Sequence, residues 1–220
     1  VDPAVYFISG KVTTIYTALT DMNTVTFDLS AALKVNSVKQ NAIELTFTQS
    51  SNNELVINLP STQISGTNAS IEINYSGVPP EANMGGFTTS THKDVPILWT
   101  LSEPFSARNW WPCKQDLNDK VNSLDVYITA PSQYVSVSNG IEPEIPTING
   151  DLKTTHFRHN YPIPAYLIAI AVTNYQVYNQ VAGTGPNQFP IINYLYPETY
   201  DANIHKLDQT PLIMAFFESK

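Results

Sequence analysis

Cysteine is almost missing from this 220-residue chain, because Cys113 is the single example. One thiol excludes an internal disulfide and a zinc site built on several thiolates. Charge is scarce too, since charged residues make up 14% of the chain, against roughly 25% in typical soluble domains. Lys and Arg together number 11 and Asp and Glu 19, for a net charge of −8. A surface that binds phosphates needs clustered basic residues, so we expect no nucleic acid as a partner.

Long apolar runs and catalytic motifs are also missing. The longest apolar stretch, Ala165 to Val172, is far shorter than the roughly 18 residues of a membrane-spanning helix, so we expect no membrane span. No H-E-x-x-H, G-x-S-x-G or glycine-rich phosphate loop occurs. His156 and His159 are three apart in a predicted strand, so they point to opposite faces and do not chelate one ion. We therefore expect no metal, no cofactor and no catalytic residue within this chain.

What the chain does contain is a period of two. Apolar residues alternate with polar ones in short runs separated by turn residues, which is the pattern of half-buried antiparallel strands. An uninterrupted strand, covered on both faces, is predicted from Ala165 to Val172. The pattern predicts an all-β fold, a large antiparallel β-sandwich or saddle-shaped sheet. The alternating runs are Val5–Phe7, Val25–Leu29, Ile43–Phe47, Leu55–Leu59, Ile71–Tyr75, Leu124–Ile128, Val135–Val137, Lys153–His159 and Ile191–Tyr196.

Near the end of the chain, the apolar residues have the spacing that is typical of helices. A short helical turn is predicted over residues 202–209, and Thr210-Pro211 has the form of a helix N-cap followed by proline at the first helical position. Leu212, Ala215 and Phe216 then fall on one face. We expect residues 1–200 to form the β domain, and residues 201–220 to begin a second, helical domain that continues beyond this chain.

One segment follows neither period. Residues 103–113, here called the aromatic loop, read Glu-Pro-Phe-Ser-Ala-Arg-Asn-Trp-Trp-Pro-Cys. Connecting segments rarely hold so much aromatic surface, so this loop must be pinned against the body of the domain. Trp110 and Trp111 are the residues expected to anchor it by burial.

The aromatic loop resembles the signature loop of the N-terminal domain of M1-family zinc aminopeptidases, the family of aminopeptidase N. In that family an acidic or amide residue stands five positions before the arginine of an Ala-Arg pair, and Pro-Cys closes the loop. Glu103, Arg108 and Pro112-Cys113 match these positions. Weaker similarities surround the loop, namely Tyr6–Gly10, Phe27–Leu29, Leu33–Val35, Gly85-Gly86-Phe87, Asp119-Lys120, Leu124–Ile128 and Tyr161–Leu167.

The resemblance implies a non-catalytic domain whose parent enzyme removes N-terminal residues from peptides. It implies that Glu103 binds the free α-amine of the substrate, and that Leu101 and Ser102 border the first side-chain pocket. Arg108, Trp110, Trp111, Pro112 and Cys113 would support the loop. The zinc-binding helix and the catalytic tyrosine of the family lie outside this sequence. The implied partners are therefore a catalytic domain that holds zinc, and the amino end of a peptide.

Two other interpretations stay open. The chain could be a free-standing β-sandwich at the cell surface that binds carbohydrate or protein, with Trp110 and Trp111 stacking on sugar rings. It could also be a structural accessory module without a ligand. Exposure of the indoles separates the first of these from the peptidase hypothesis, since a sugar platform needs ring faces in water. The surplus of Asn, Ser, Thr and Gln favours a secreted, periplasmic or cell-surface location, with a cytoplasmic one left open.

Overall fold

The computed structural model describes residues 1–81 and 86–220, and it confirms the predicted all-β class. Gly85, one of the glycines named above, lies outside the described residues. The strands in chain order are β1 (Ile8–Thr17), β2 (Met22–Asp28), β3 (Leu33–Gln40), β4 (Ile43–Glu44), β5 (Phe47–Gln49), β6 (Glu54–Gln63), β7 (Asn68–Gly77), β8 (Gly86–His92), β9 (Val95–Leu101), β10 (Leu124–Pro131), β11 (Val135–Ser138), β12 (Thr147–Asn149), β13 (Leu152–His159), β14 (Ile170–Thr173), β15 (Gln176–Ala182) and β16 (Phe189–Leu195).

The strands pair antiparallel in several sheets. The first two sheets have the orders β1-β7-β3-β4 and β2-β6-β5. The next two have the orders β11-β14-β9-β8 and β10-β13-β12, and β15 pairs with β16 in a two-stranded ribbon. Alternate residues of a strand lie on the same face of the sheet. Accordingly, Leu55 and Ile57 of β6 and Ile71 and Ile73 of β7 are wholly buried. One hydrophobic core joins residues from the four larger sheets.

The run Ile43–Phe47 was predicted as one strand, and this is wrong. It is divided between β4, which pairs with β3, and β5, which pairs with β6 in a different sheet. Leu45 between them is buried, and its N–H donates to the carbonyl of Val38. Ile43 is 59% exposed although it has the same place in the alternation as the buried Leu45, so the pattern alone does not show where the chain changes sheets.

The uninterrupted strand predicted from Ala165 to Val172 is also wrong in its first half. Residues Ala165–Leu167 form a 3₁₀ helix, and only Ile170–Thr173 are extended as β14. Pro164 precedes the turn, and its carbonyl accepts a hydrogen bond from Leu167 N–H. Since proline has no N–H of its own, this position contributes less to a strand ladder than to a turn.

Val5–Phe7 is not a strand either. Asp2 accepts hydrogen bonds from the N–H groups of Ala4 and Val5, which makes a turn around Pro3. Strand β1 begins only at Ile8. The other alternating runs coincide with strands, except that Leu29 and Tyr196 lie one residue past the ends of β2 and β16. The alternating runs include none of the strands β8, β9, β12 and β15.

The chain ends in two helices, α1 (Tyr200–Leu207) and α2 (Gln209–Glu218). The predicted N-cap at Thr210 is wrong, because α2 begins at Gln209, two residues before Pro211, and Asp208 holds the N-cap position. Asp208 makes no capping bond with its side chain, since its carboxylate accepts a hydrogen bond from Tyr178 Oη at 2.8 Å. This contact, with one from Gln180 to the carbonyl of Leu207, ties the helices to β15.

Shortening a buried side chain of the core should lower the stability of the domain. Leu55→Ala removes most of a wholly buried side chain, so we expect a loss of about 2–5 kcal/mol in the free energy of unfolding. Ile15→Ala on β1 is the matched control, because Ile15 is 78% exposed, and it should change stability by less than about 0.5 kcal/mol. Urea denaturation followed by circular dichroism measures both, and equal losses would contradict the described core.

Candidate substrate-binding loop

The aromatic loop is fixed at its far end by β2. Asp28 N–H donates to Cys113 O at 2.7 Å, and Cys113 N–H donates to Asp28 O at 3.0 Å, which is an antiparallel bridge. Ser30 N–H donates to Arg108 O at 2.8 Å. The loop therefore lies along the end of β2 as if it were an additional short strand.

The near end of the loop is fixed by Ser102, which directly follows β9 and is 2% exposed. Its Oγ accepts a hydrogen bond from Trp110 Nε1 at 2.9 Å, and its carbonyl accepts one from Ser106 N–H at 2.9 Å. The second bond closes a turn that leads into the 3₁₀ helix Ala107–Asn109. Both ends of the loop are thus held to the sheets, as its aromatic content predicted.

Trp110 is held from a second side by Tyr75. The indole is 6% exposed, and the carbonyl of Trp110 accepts a hydrogen bond from Tyr75 Oη at 2.8 Å. Burial raises the pKa of Tyr75 well above its ordinary value, and the thiol of Cys113 adds to this. The phenol therefore keeps its proton and stays a donor. Tyr75 is paired with Gly10 across β1 and β7.

Gly10 is the residue that makes room for Tyr75. A Cβ built at position 10 would lie 2.7–2.8 Å from the end of the tyrosine ring. No real side chain tolerates that contact without a shift of the ring. The small residue in β1 therefore permits the tyrosine in β7, and the tyrosine in turn positions the backbone of Trp110.

Glu103 itself is exposed, and it directly follows the buried, hydrogen-bonded Ser102. Leu101 and Phe105 stand beside it in the chain, and both are more than half exposed. The loop thus presents one carboxylate between two apolar side chains. The structure brings Leu101 and Glu103 to the surface and places Ser102 beneath them, where it supports the loop and is not itself open to a ligand.

The remaining predicted support residues act in different ways. Trp111 is half-buried, contacts Trp110 with ring centroids 5.9 Å apart, and packs against the main core. Pro112 and Cys113 are buried. Within the described residues the guanidinium of Arg108 makes no ion pair or hydrogen bond, so its contribution comes through its backbone. Its carbonyl binds Ser30, and its N–H donates to the side chain of Gln115 at 3.2 Å.

The histidines of β13 do not form a metal site. His156 lies between two carboxylates, with Nε2 2.8 Å from Asp125 Oδ1 and Nδ1 3.0 Å from Glu144 Oε1. His159 contacts Tyr161 instead. In residues 1–81 and 86–220 no group of three or more His, Cys, Asp or Glu is arranged to hold a metal ion. No helix in the same residues is long and apolar enough to cross a membrane.

The fold and the buried indole of Trp110 define an all-β domain with a surface loop held against its sheets. A family model described as the Peptidase M1 N-terminal domain matches residues 2–167. The chain belongs to this family. The resemblance inferred from the aromatic loop is therefore confirmed.

Individual relatives agree with this assignment. Aminopeptidase A of Gloydius brevicauda is 29% identical over 140 residues, which are 61% of this chain and 14% of that protein. Glutamyl aminopeptidase of Homo sapiens is 25% identical over 122 residues, 56% of this chain and 12% of that protein. The M1 zinc metallopeptidase from Deinococcus radiodurans shares the fold with a TM-score of 0.78 at 21% identity, over 87% of this chain and 44% of that chain. The chain thus matches less than half the length of each.

Sequence reasoning missed the residues that hold the loop from below. Tyr75 was recognised only as an apolar member of an alternating run, and its hydroxyl gave no signal of a partner 35 positions away. Gly10 was quoted only as part of an opening strand. A glycine within an alternating strand does signal a close approach, and that signal could have found it.

Removing the Tyr75 hydroxyl should loosen the loop. Tyr75→Phe leaves the carbonyl of Trp110 without its partner, so we expect a loss of about 1–3 kcal/mol in the free energy of unfolding. Gly10→Ala should cost a similar amount, about 1–3 kcal/mol, through overpacking against the ring. Ser9→Ala, an exposed neighbour on β1, is the control. Denaturant unfolding measures all three, and a neutral Gly10→Ala would contradict the packing described here.

The thiol of Cys113 should be inert in the folded protein. Burial, with the carboxylate of Asp28 next, raises the pKa of this thiol far above its ordinary value, and the nearby Arg108 offsets only part of the rise. Since the thiolate is the reactive form, we expect negligible labelling by a thiol reagent at pH 8 and complete labelling in denaturant. Rapid labelling of the folded chain would contradict the buried bridge to Asp28.

Proposed function

We propose that this chain is the non-catalytic N-terminal domain of a zinc aminopeptidase, and that Glu103 binds the free α-amine of the substrate. The observation that supports the proposal is the presentation of Glu103. Its carboxylate is exposed, while the residue before it is buried and hydrogen-bonded on two sides. A rigid base with a free acidic tip suits recognition of a small cation.

The chemistry follows from what distinguishes a peptide's end from its interior. A free α-amine is a cation over much of the physiological range, whereas an internal peptide bond carries no charge. A carboxylate forms a short charge-assisted hydrogen bond with an ammonium group. When a second domain covers the loop, an unpaired carboxylate would be costly, so peptides without a free amine are rejected. The apolar side chains of Leu101 and Phe105 would lie beside the first residue of the substrate.

The partner that completes the site is a catalytic domain outside this chain. The relatives whose names describe peptidases are much longer than the matched region, which supports the presence of such a domain. The described donor sets do not fit zinc, so the catalytic zinc of the parent enzyme would be held by that domain. The chain alone should then hydrolyse no peptide. We place the start of the catalytic part near residue 201, where α1 begins.

The proposed catalytic domain must extend from α1 to Glu103. The segment before α1 contacts His92, which is paired with Val95 at the start of β9, whereas Glu103 follows the end of this strand. Strand β9 has seven residues, so its two ends lie about 20 Å apart. A domain of some 250 residues spans about 40 Å. The catalytic domain can therefore begin beside His92 and still cover Glu103.

The carbohydrate-binding alternative is not favoured. Trp110 is buried and its indole N–H is bound to Ser102, while Trp111 is half-buried against the core. A sugar platform needs open ring faces. A secreted, periplasmic or cell-surface location remains our proposal for the compartment, with the polar composition as its support.

The amine-binding role can be tested in the parent enzyme. Replacing Glu103 by Ala should lower kcat/KM on peptides by about 10- to 150-fold, the equivalent of about 1.5–3 kcal/mol for a hydrogen bond to a charged group. Glu103→Gln should retain part of the activity, because an amide oxygen still accepts a hydrogen bond. Glu54→Gln, an exposed acid on β6, is the control and should leave kcat/KM unchanged.

Two outcomes would oppose the proposal. An unchanged kcat/KM in Glu103→Ala would remove Glu103 from substrate binding. An equal loss in Glu54→Gln would show that the effect is general charge and not a contact with the amine. Thermal unfolding of each variant separates a lost contact from a lost fold, since an exposed Glu103 should contribute little to stability.

A further inference from the structure

Two Asn-Gly pairs occur in the chain, Asn139-Gly140 and Asn149-Gly150, and both lie where the chain turns. Asparagine loses its side-chain amide most readily when glycine follows it, because glycine has no Cβ to keep its backbone nitrogen away from the preceding side chain. The two pairs consist of the same residues, so a large difference in their reactivity must come from the fold around them.

The reaction needs only the chain and water. The backbone N–H of the glycine loses its proton, the nitrogen bonds to Cγ of the asparagine, and Nδ2 leaves with a proton as ammonia. The product is a cyclic succinimide, which water opens at either carbonyl to give aspartate or its isomer isoaspartate. Ring closure requires that the asparagine side chain and the peptide after it rotate until the nitrogen lies against Cγ.

Asn149 is free to make this movement. It is the last residue of β12, an edge strand whose three residues are all exposed. In the described part of the chain the side chain of Asn149 makes no hydrogen bond. Gly150 has a φ of 60°, which suits a tight hairpin turn, and a Cβ built there would meet no atom within 4 Å. An exposed edge strand opens locally at little cost, so the peptide between the two residues can turn toward the side chain.

Asn139 is held at both ends of its side-chain amide. Its Oδ1 accepts a hydrogen bond from Ala169 N–H at 2.8 Å, and its Nδ2 donates to Leu167 O at 2.9 Å. A Cβ built at Gly140 would lie 2.1 Å from Arg158 O, so the glycine backbone packs directly on β13. Reaction at Asn139 must therefore break two hydrogen bonds and move a packed backbone.

We propose that Asn149 is a site of spontaneous deamidation in the folded protein, and that the fold protects Asn139 from the same reaction. The proposal rests on the freedom of one Asn-Gly pair and the restraint of the other. It does not depend on the role of Glu103 or on any activity of the parent enzyme.

Conversion of Asn149 alters the hairpin between β12 and β13. Aspartate adds a negative charge close to Asp151, and isoaspartate adds a methylene group to the main chain where Asn149 is paired with Leu152. Since β12 has no buried residue, the rest of the domain should stay folded after the conversion. The modified chain can therefore be recovered and analysed together with the unmodified one.

The experiment follows both asparagines in one sample. The folded chain is kept at pH 8, and samples taken over time are cleaved after glutamate in mild acid, where the reaction is slow. Glu142 and Glu144 lie between the two asparagines, so each asparagine falls on its own peptide for mass spectrometry. Asn149 should convert to a mixture of aspartate and isoaspartate. The two hydrogen bonds should make conversion of Asn139 slower by about 5- to 150-fold.

Unfolding and a matched variant separate the fold from the local sequence. In guanidinium chloride the two asparagines should convert at similar rates, because glycine follows both and neither side chain is then held. Gly150→Ala should slow the conversion of Asn149 in the folded chain and leave Asn139 unchanged, since a methyl group hinders the approach of the nitrogen. The open space at position 150 accepts this methyl group, although the positive φ disfavours it.

Three results would overturn the proposal. One is an equal rate at Asn139 and Asn149 in the folded chain, and another is no conversion of folded Asn149 over a time in which the unfolded chain reacts. The third is conversion of Asn149 to aspartate without isoaspartate, which excludes the ring closure. All three are measured on the unaltered chain, so they decide the question even if Gly150→Ala fails to fold.

Discussion

The presentation of Glu103 depends on one buried constraint, the pair of hydrogen bonds that hold Trp110. Its indole N–H binds Ser102, and its carbonyl binds Tyr75. The first bond joins the two ends of the loop, and the second joins the loop to β7. Buried polar groups are costly when unpaired, so each of these bonds excludes alternative loop shapes. The carboxylate of Glu103 has a defined position because Ser102 and Trp110 beneath it are buried and hydrogen-bonded.

The sequence predicted the fold class well because alternation is a direct record of which side chains are buried. The strands around Leu55 and Ile73 were correctly placed for this reason. The same record failed at Leu45, where the chain leaves one sheet for another without a change of pattern. It failed again at Ala165, where an apolar run forms a turn after Pro164. The pattern of apolar residues indicates which side chains are buried, but it does not indicate which residues are hydrogen-bonded to each other.

The candidate site shows the same division. The residue types of the aromatic loop predicted that the two tryptophans anchor it, and the resemblance to a family made Glu103 the candidate for binding an amine. The roles within the loop were less predictable, because Ser102 proved to be a buried support and Arg108 acts through its backbone. Tyr75 and Gly10 lie in distant strands, and their part depends on contacts that only folding brings together. A single sequence contains no direct sign of such long-range pairs.

The close packing of the Tyr75 ring on Gly10 has a consequence for how this family of domains can vary. A tyrosine at position 75 excludes any side chain at position 10, whereas a smaller residue at position 75 would remove that restriction. A side chain at position 10 therefore becomes acceptable only together with a smaller residue at position 75. In aligned relatives the residues at these two positions should change together. A glycine at position 10 would then indicate that a tyrosine at position 75 anchors the aromatic loop in that relative.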